Sequence, residues 1–103
     1  MKEIKLRGLK LKTFTEQNVE DYCLLNNINP LDIKELNLSS NELTDISGVK
    51  LFKNLKQLDL FNNKIKDISS VKDLNKLKYL NISVILLTDI SDLKDLKKLK
   101  YLN

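Results

Sequence analysis

The chain has no histidine and no tryptophan, and only one cysteine, one proline and one methionine among its 103 residues. Without histidine there is no imidazole to activate a serine or cysteine nucleophile, and none to hold a metal. Two glycines, Gly8 and Gly48, are too few for a phosphate-cradling loop. These absences weigh against an enzyme and lead us to expect no cofactor and no metal. The lone Cys23 cannot form an internal disulfide and fits a reducing compartment. No apolar run approaches the ~20 residues of a membrane span, and Met1-Lys-Glu-Ile-Lys lacks the apolar core of a signal peptide. A cytoplasmic location without membrane contact is the expectation. Arginine is also scarce, with Arg7 standing against 17 lysines in a chain of net charge +4. Nucleic-acid readers favour the bidentate fork of arginine. Here acidic residues are interleaved with the lysines, so a lysine-rich nucleic-acid binder is kept only as the alternative function.

What is present is a period. From Leu36 onward a 22-residue unit occurs three times, as Leu36–Gln57, Leu58–Tyr79 and Leu80–Tyr101, and a fourth copy stops at Leu102-Asn103. A fixed period of this size predicts stacked coils, which present binding surfaces rather than enclosed pockets. Aligned, the copies give seven apolar columns: Leu36/Leu58/Leu80, Leu38/Leu60/Ile82, Leu43/Ile65/Leu87, Ile46/Ile68/Ile90, Val49/Val71/Leu93, Phe52/Leu74/Leu96 and Leu55/Leu77/Leu99. The opening Leu-x-Leu has period two and predicts a short strand with both side chains inward. Ile46, Val49, Phe52 and Leu55 recur every third residue, which suits 3₁₀ turns on the opposite side of each coil.

Two polar columns support this reading. Asn41 and Asn63 follow the strand where the chain turns inward, and an amide carries both donors and acceptors for backbone groups of its own coil and the next. Asp45, Asp67 and Asp89 precede the helical return, where a carboxylate can cap backbone N–H groups. The segments Leu36-Asn-Leu-Ser-Ser-Asn41-Glu-Leu43-Thr-Asp45-Ile46-Ser and Leu58-Asp-Leu-Phe-Asn-Asn63-Lys-Ile65-Lys-Asp67-Ile68-Ser resemble the 22-residue leucine-rich repeat of bacterial internalin-type proteins. The resemblance covers residues 33–103. It implies an α/β fold: a right-handed leucine-rich-repeat solenoid with a parallel concave sheet, short convex returns and a protein-binding role.

Residues 1–35 do not match the repeat and are expected to form an N-terminal strand–helix cap, with residues 36–103 as the repeat domain. Ile4-Lys-Leu6 and Leu9-Lys-Leu11 alternate like a strand, with Gly8 as a bulge between them. Thr13-Phe-Thr-Glu16 fits a capping box, and Val19, Tyr22, Cys23 and Leu25 follow at helical spacing until Asn29-Pro30. Cys23 is expected on the buried face of that helix.

The residues flanking the inward leucines define the candidate partner-binding set: Glu35, Asn37, Gln57, Asp59, Phe61, Tyr79, Asn81 and Tyr101, with Ser39 and Ser83 beside them. Tyrosine is a favoured interface anchor, and an aromatic on a polar sheet is costly without a contact. Tyr79 and Tyr101 either anchor a partner or pack along the strand edge, and Phe61 is the stronger candidate. Five strands at ~4.8 Å give a strip only a few hundred Å² in area, against the ~800 Å² per partner of a standard interface. A full interface therefore needs flanking loops. In the third copy Val84-Ile85-Leu86 replaces the polar Ser40-Asn41-Glu42, and nothing follows to cover the last coil. Val84, Ile85, Leu86 and Leu102 are therefore candidates for self-association, a homodimer through the C-terminal end. The expected function is a protein–protein interaction module that occludes or bridges a partner, such as a small stand-alone inhibitor.

Overall fold

The computed structural model describes residues 2–83 and 101–102. They form a right-handed solenoid whose sheet has five parallel strands in the order β1-β2-β3-β4-β5. The strands are β1 (Glu3–Lys5), β2 (Glu35–Asn37), β3 (Gln57–Asp59), β4 (Tyr79–Asn81) and β5 (Tyr101–Leu102). Leu36, Leu58, Leu80 and Leu102 are partnered in register, as the first apolar column requires. The Leu-x-Leu side chains point into the coil and are buried from Leu36 to Leu80.

The period of three has a backbone cause. Val49 N–H donates to Ile46 C=O, Phe52 N–H to Val49 C=O, and Leu55 N–H to Phe52 C=O, at 3.0, 3.0 and 3.1 Å. One coil later Val71, Leu74 and Leu77 donate in the same way to Ile68, Val71 and Leu74. Each inward side chain thus sits on a residue whose own N–H closes a three-residue turn. These turns include the 3₁₀ segments Ser47–Leu51 and Ser69–Val71 on the side opposite the sheet. The Asp45 and Asp67 carboxylates each accept the N–H two residues on, from Ser47 and Ser69, both at 2.8 Å. That is the capping expected of them.

The asparagine column staples neighbouring coils, but in the opposite direction to that expected. Asn63 donates to Leu60 C=O in its own coil and to Leu38 C=O in the preceding one, both at 3.0 Å. Its Oδ1 accepts Leu43 N–H, also from the preceding coil. Asn41 likewise bonds Leu38 C=O in its own coil. It reaches back to Leu6 C=O, Leu9 N–H and Leu11 N–H at 2.9 to 3.0 Å. Among the described residues no buried side-chain nitrogen or oxygen lacks a partner.

Residues 2–15 run along the same path as the repeats. β1 pairs with β2 in the register Ile4↔Leu36. Leu6 N–H donates to Asn37 C=O, Gly8 N–H to Ser39 C=O, and Phe14 N–H to Asp45 C=O. Ile4, Leu6, Leu11 and Phe14 therefore occupy the columns of Leu36, Leu38, Leu43 and Ile46. The spacing from Ile4 to Leu36 is 32 positions, against 22 from Leu36 to Leu58. The difference equals the ten residues of α1 (Glu16–Leu25), which is inserted ahead of the 3₁₀ segment Pro30–Asp32 and packs on Ser47–Leu51. Phe14 stacks on Phe52 of the next coil with ring centroids 6.1 Å apart.

Three local expectations change here. Leu9-Lys-Leu11 is not a strand, because Asn41 takes its N–H groups and Gly8 makes a turn at φ 69° rather than a bulge. The capping box is Thr15 with Asn18, two residues later than expected. Val19 and Cys23 are buried, but Leu25 closes the helix 86% exposed. Gly48 is required by close approach: a Cβ there would lie 2.5 Å from Thr15 O and from Val19 Cγ2, and 2.7 Å from Phe14 O. Its absence lets the start of α1 rest on the 3₁₀ turn.

Candidate functional site

The residues between the inward leucines fall in rows across the concave sheet. The strand register places Glu3, Glu35, Gln57, Tyr79 and Tyr101 in one row. Lys5, Asn37, Asp59 and Asn81 form the next. From Glu3 to Tyr79 and from Lys5 to Asn81 these rows line an open groove of about 250 Å³, floored by Leu36 and Leu58. Six of the sequence-predicted residues meet there: Glu35, Asn37, Gln57, Asp59, Tyr79 and Asn81. Glu3 and Lys5 join them, and sequence reasoning missed both because it set β1 apart from the repeats. Their signal was Ile4-x-Leu6, whose flanking residues align with Glu35 and Asn37.

The second row also holds the backbone. Asn37, Asp59 and Asn81 each accept, through Oδ1, the N–H two residues on, from Ser39, Phe61 and Ser83, at 2.9 to 3.0 Å. They shape the turn that ends each strand, as side chains of this type do in loops. Ser39 is 3% exposed and donates its hydroxyl to Asn37 Oδ1 at 2.6 Å, so it is not part of the open face. Phe61 lies past the end of β3, is half-buried and does not line the groove. Tyr79 is 44% exposed and lines the groove. Leu102 on the last strand is 45% exposed. Val84, Ile85 and Leu86 lie outside the described residues.

Like charges meet at one end of the groove. Glu3 and Glu35 are register partners on adjacent strands. A hydrogen bond to the Glu3 carboxyl, then desolvation and the Glu3 charge, hold the Glu35 carboxyl above the usual carboxylate range. Lys5 opposes this shift, its Nζ 3.5 Å from Glu3 Oε1. Asp67 moves the other way, because the Ser69 N–H and hydroxyl stabilise its charged form. Burial pushes the Cys23 thiol up, which leaves it a poor nucleophile. Among the described residues no cluster of three histidine, cysteine or acidic groups could hold a metal, and no helix is long and apolar enough to cross a membrane.

Short parallel strands, 3₁₀ returns and an asparagine staple at a 22-residue period define a leucine-rich-repeat solenoid. A family model described as leucine-rich repeats (2 copies) matches residues 32–73 and 53–95, and the chain belongs to this family. Among solved structures it is similar to an internalin (inlF) from Listeria monocytogenes, with 37% identity over 71% of this chain and a TM-score of 0.69. It is also similar to an internalin C2 from the same organism, with 27% identity over 98% of this chain and a TM-score of 0.76. The chain spans 22% and 50% of the length of those two proteins. A comparison with curated protein sequences gives no match. The internalin-type resemblance read from the repeats therefore stands, and with it a scaffold class whose typical work is protein binding rather than catalysis.

Proposed function

We propose that the chain is a protein-binding module that works by occupancy, without catalysis, through the concave face of β1 to β4. The observation that carries this reading is the in-register assembly of Glu3, Glu35, Gln57 and Tyr79 beside Lys5 and Asp59 along one open groove. A graded mixture of charge, amide and aromatic ring suits a polar protein surface better than an apolar ligand. The second row is partly committed to its own turns through Asn37, Asp59 and Asn81, so the first row adds the longer side chains that reach furthest from the sheet. A rigid curved strip of this kind blocks or bridges what it covers. The inhibitory form of the proposal is that the isolated chain lowers its partner's own activity.

Site-specific crosslinking tests the reading. A photoreactive residue in place of Gln57 should capture a protein in extracts of the native source, and one in place of the convex Lys53 should not. Capture from position 53 alone would sink the concave-face assignment. A nuclease-sensitive adduct would move the function to the lysine-rich nucleic-acid alternative.

A further inference from the structure

β1 is the first strand of the sheet, and among the described residues it is an edge of defined pattern with no strand on its outer side. Leu6 N–H donates to Asn37 C=O at 2.8 Å, and Lys2 C=O accepts from Lys34 and Glu35 N–H at 2.7 and 3.1 Å. With the register Ile4↔Leu36, the even-numbered residues address β2. In a ladder that bonds alternate residues to one neighbour, Glu3 and Lys5 turn their N–H and C=O groups away from the sheet. Such an edge is a template for another strand.

The geometry points to a second copy of this chain as that strand: we infer that the protein self-associates through β1, antiparallel, about a two-fold axis at Ile4. Glu3 of each copy then lies opposite Lys5 of the other as a hydrogen-bonded pair, and the two pairs exchange four N–H···O bonds. Their side chains share the concave face, within reach of cross-strand ion pairing. The charges choose this arrangement over a parallel one. Parallel pairing in register would set Glu3 beside Glu3 of the second copy, in a row that already contains Glu35 at a raised pKa. Antiparallel pairing places a lysine on the far side of Glu3 and relieves that row.

The apolar surface at this end fits the same axis. Leu9 lies on the loop after β1 and Leu31 in the segment before β2, 56% and 46% exposed. Reversal of strand direction brings the Leu9 loop of one copy to the Leu31 segment of the other. An open groove of about 510 Å³ on this side, lined by Leu6, Leu9, Leu11 and Tyr22 among others, supplies further area to cover. The product is one continuous concave sheet made from two five-stranded sheets. It doubles a face that is too small in one copy for a standard interface. The inference goes beyond the proposed function and stands without it, since it concerns the strand edge rather than the face.

Sedimentation of the full chain over a concentration series into the high micromolar range tests it, with far-UV dichroism and thermal melts showing that each variant folds. The wild type should be a monomer–dimer mixture that closes at two. E3K sets cation against cation across the axis, and K5E sets anion against anion. Each should weaken association by about tenfold or more, because juxtaposed like charges oppose docking. Mixing E3K with K5E should restore dimers as heterodimers, and the double variant E3K/K5E should dimerise by itself. A monomeric wild type, dimers indifferent to both reversals, or species that keep growing beyond two would each overturn the inference. The last two outcomes would move self-association to the C-terminal end.

Discussion

In the second coil, Leu38 C=O and Leu43 N–H are held by an amide that reaches back from Asn63, and these bonds are buried. In the first coil the equivalent amide is Asn41, and its bonds to Leu6, Leu9 and Leu11 lie at the partly open end of the molecule. The two coils share a path, a register and a set of inward columns, but water can replace the staple only in the first. A staple that always points toward the N-terminus also explains why the first coil tolerates Leu9 in the asparagine column. Among the described residues no backbone group lies before it to wait for an amide there.

Removing the amide of each coil in turn tests that contrast. Asn63→Ala leaves buried backbone groups of two coils without partners and should cost about 4 kcal/mol. Asn41→Ala should cost about half as much, because solvent can reach the orphaned groups. Equal losses in chemical denaturation would show that the end coil is as closed as the interior one. Next in size is Gly48→Ala, which drives a methyl group against the Thr15 and Phe14 carbonyls. It should cost about 3 kcal/mol, as overpacking against backbone does. Hydrogen exchange should place the loss in α1 and the first coil, leaving the third coil protected.

A third test uses the columns themselves. Gly8, Ser40 and Asn62 occupy one column, and all three have positive φ, at 69°, 55° and 58°. The third repeat of the sequence has Val84 there, a β-branched residue for which that conformation costs roughly 1–2 kcal/mol, and Ile85 in place of the stapling asparagine. Val84→Asn with Ile85→Asn should therefore stabilise the chain by about 2 kcal/mol. An unchanged melting temperature would mean that this repeat turns by a different path.

The smallest effect is electrostatic and has opposite signs at two sites. The folded-state pKa of Glu35 is raised, so its contribution is present at low pH and is lost as pH rises through the carboxylate range. Glu35→Gln should raise the melting temperature slightly at neutral pH and bring no gain in acid. The Asp67 pKa is lowered, so its contribution is present at neutral pH and lost as pH falls. Asp67→Ala should do its damage at neutral pH only. Parallel pH profiles for the two variants would break the assignment.

Much of this was legible from the chain. The seven columns, the strand of two inward leucines, the returns of period three and the capping aspartates all follow from spacings shorter than a single coil. Residues of the face such as Glu35, Gln57 and Tyr79 were legible too, since alternation along a strand fixes which side a residue occupies. Phe61 was misplaced because β3 ends at Asp59 and the chain turns before reaching it. Ser39 was misplaced because its hydroxyl bonds Asn37 instead of water. The first coil went unread because ten helical residues inserted after Thr15 break the period that identifies the others.

The class of fold and the inward side chains could be read along the chain alone, because both depend on local periodicity. Stacking assigned which coil each amide serves, why Gly48 has no side chain, and that Glu3 and Lys5 complete the face and form its edge among the described residues. Those facts depend on contacts between residues some 20 to 35 positions apart. No spacing along the chain encodes them until the coils are stacked.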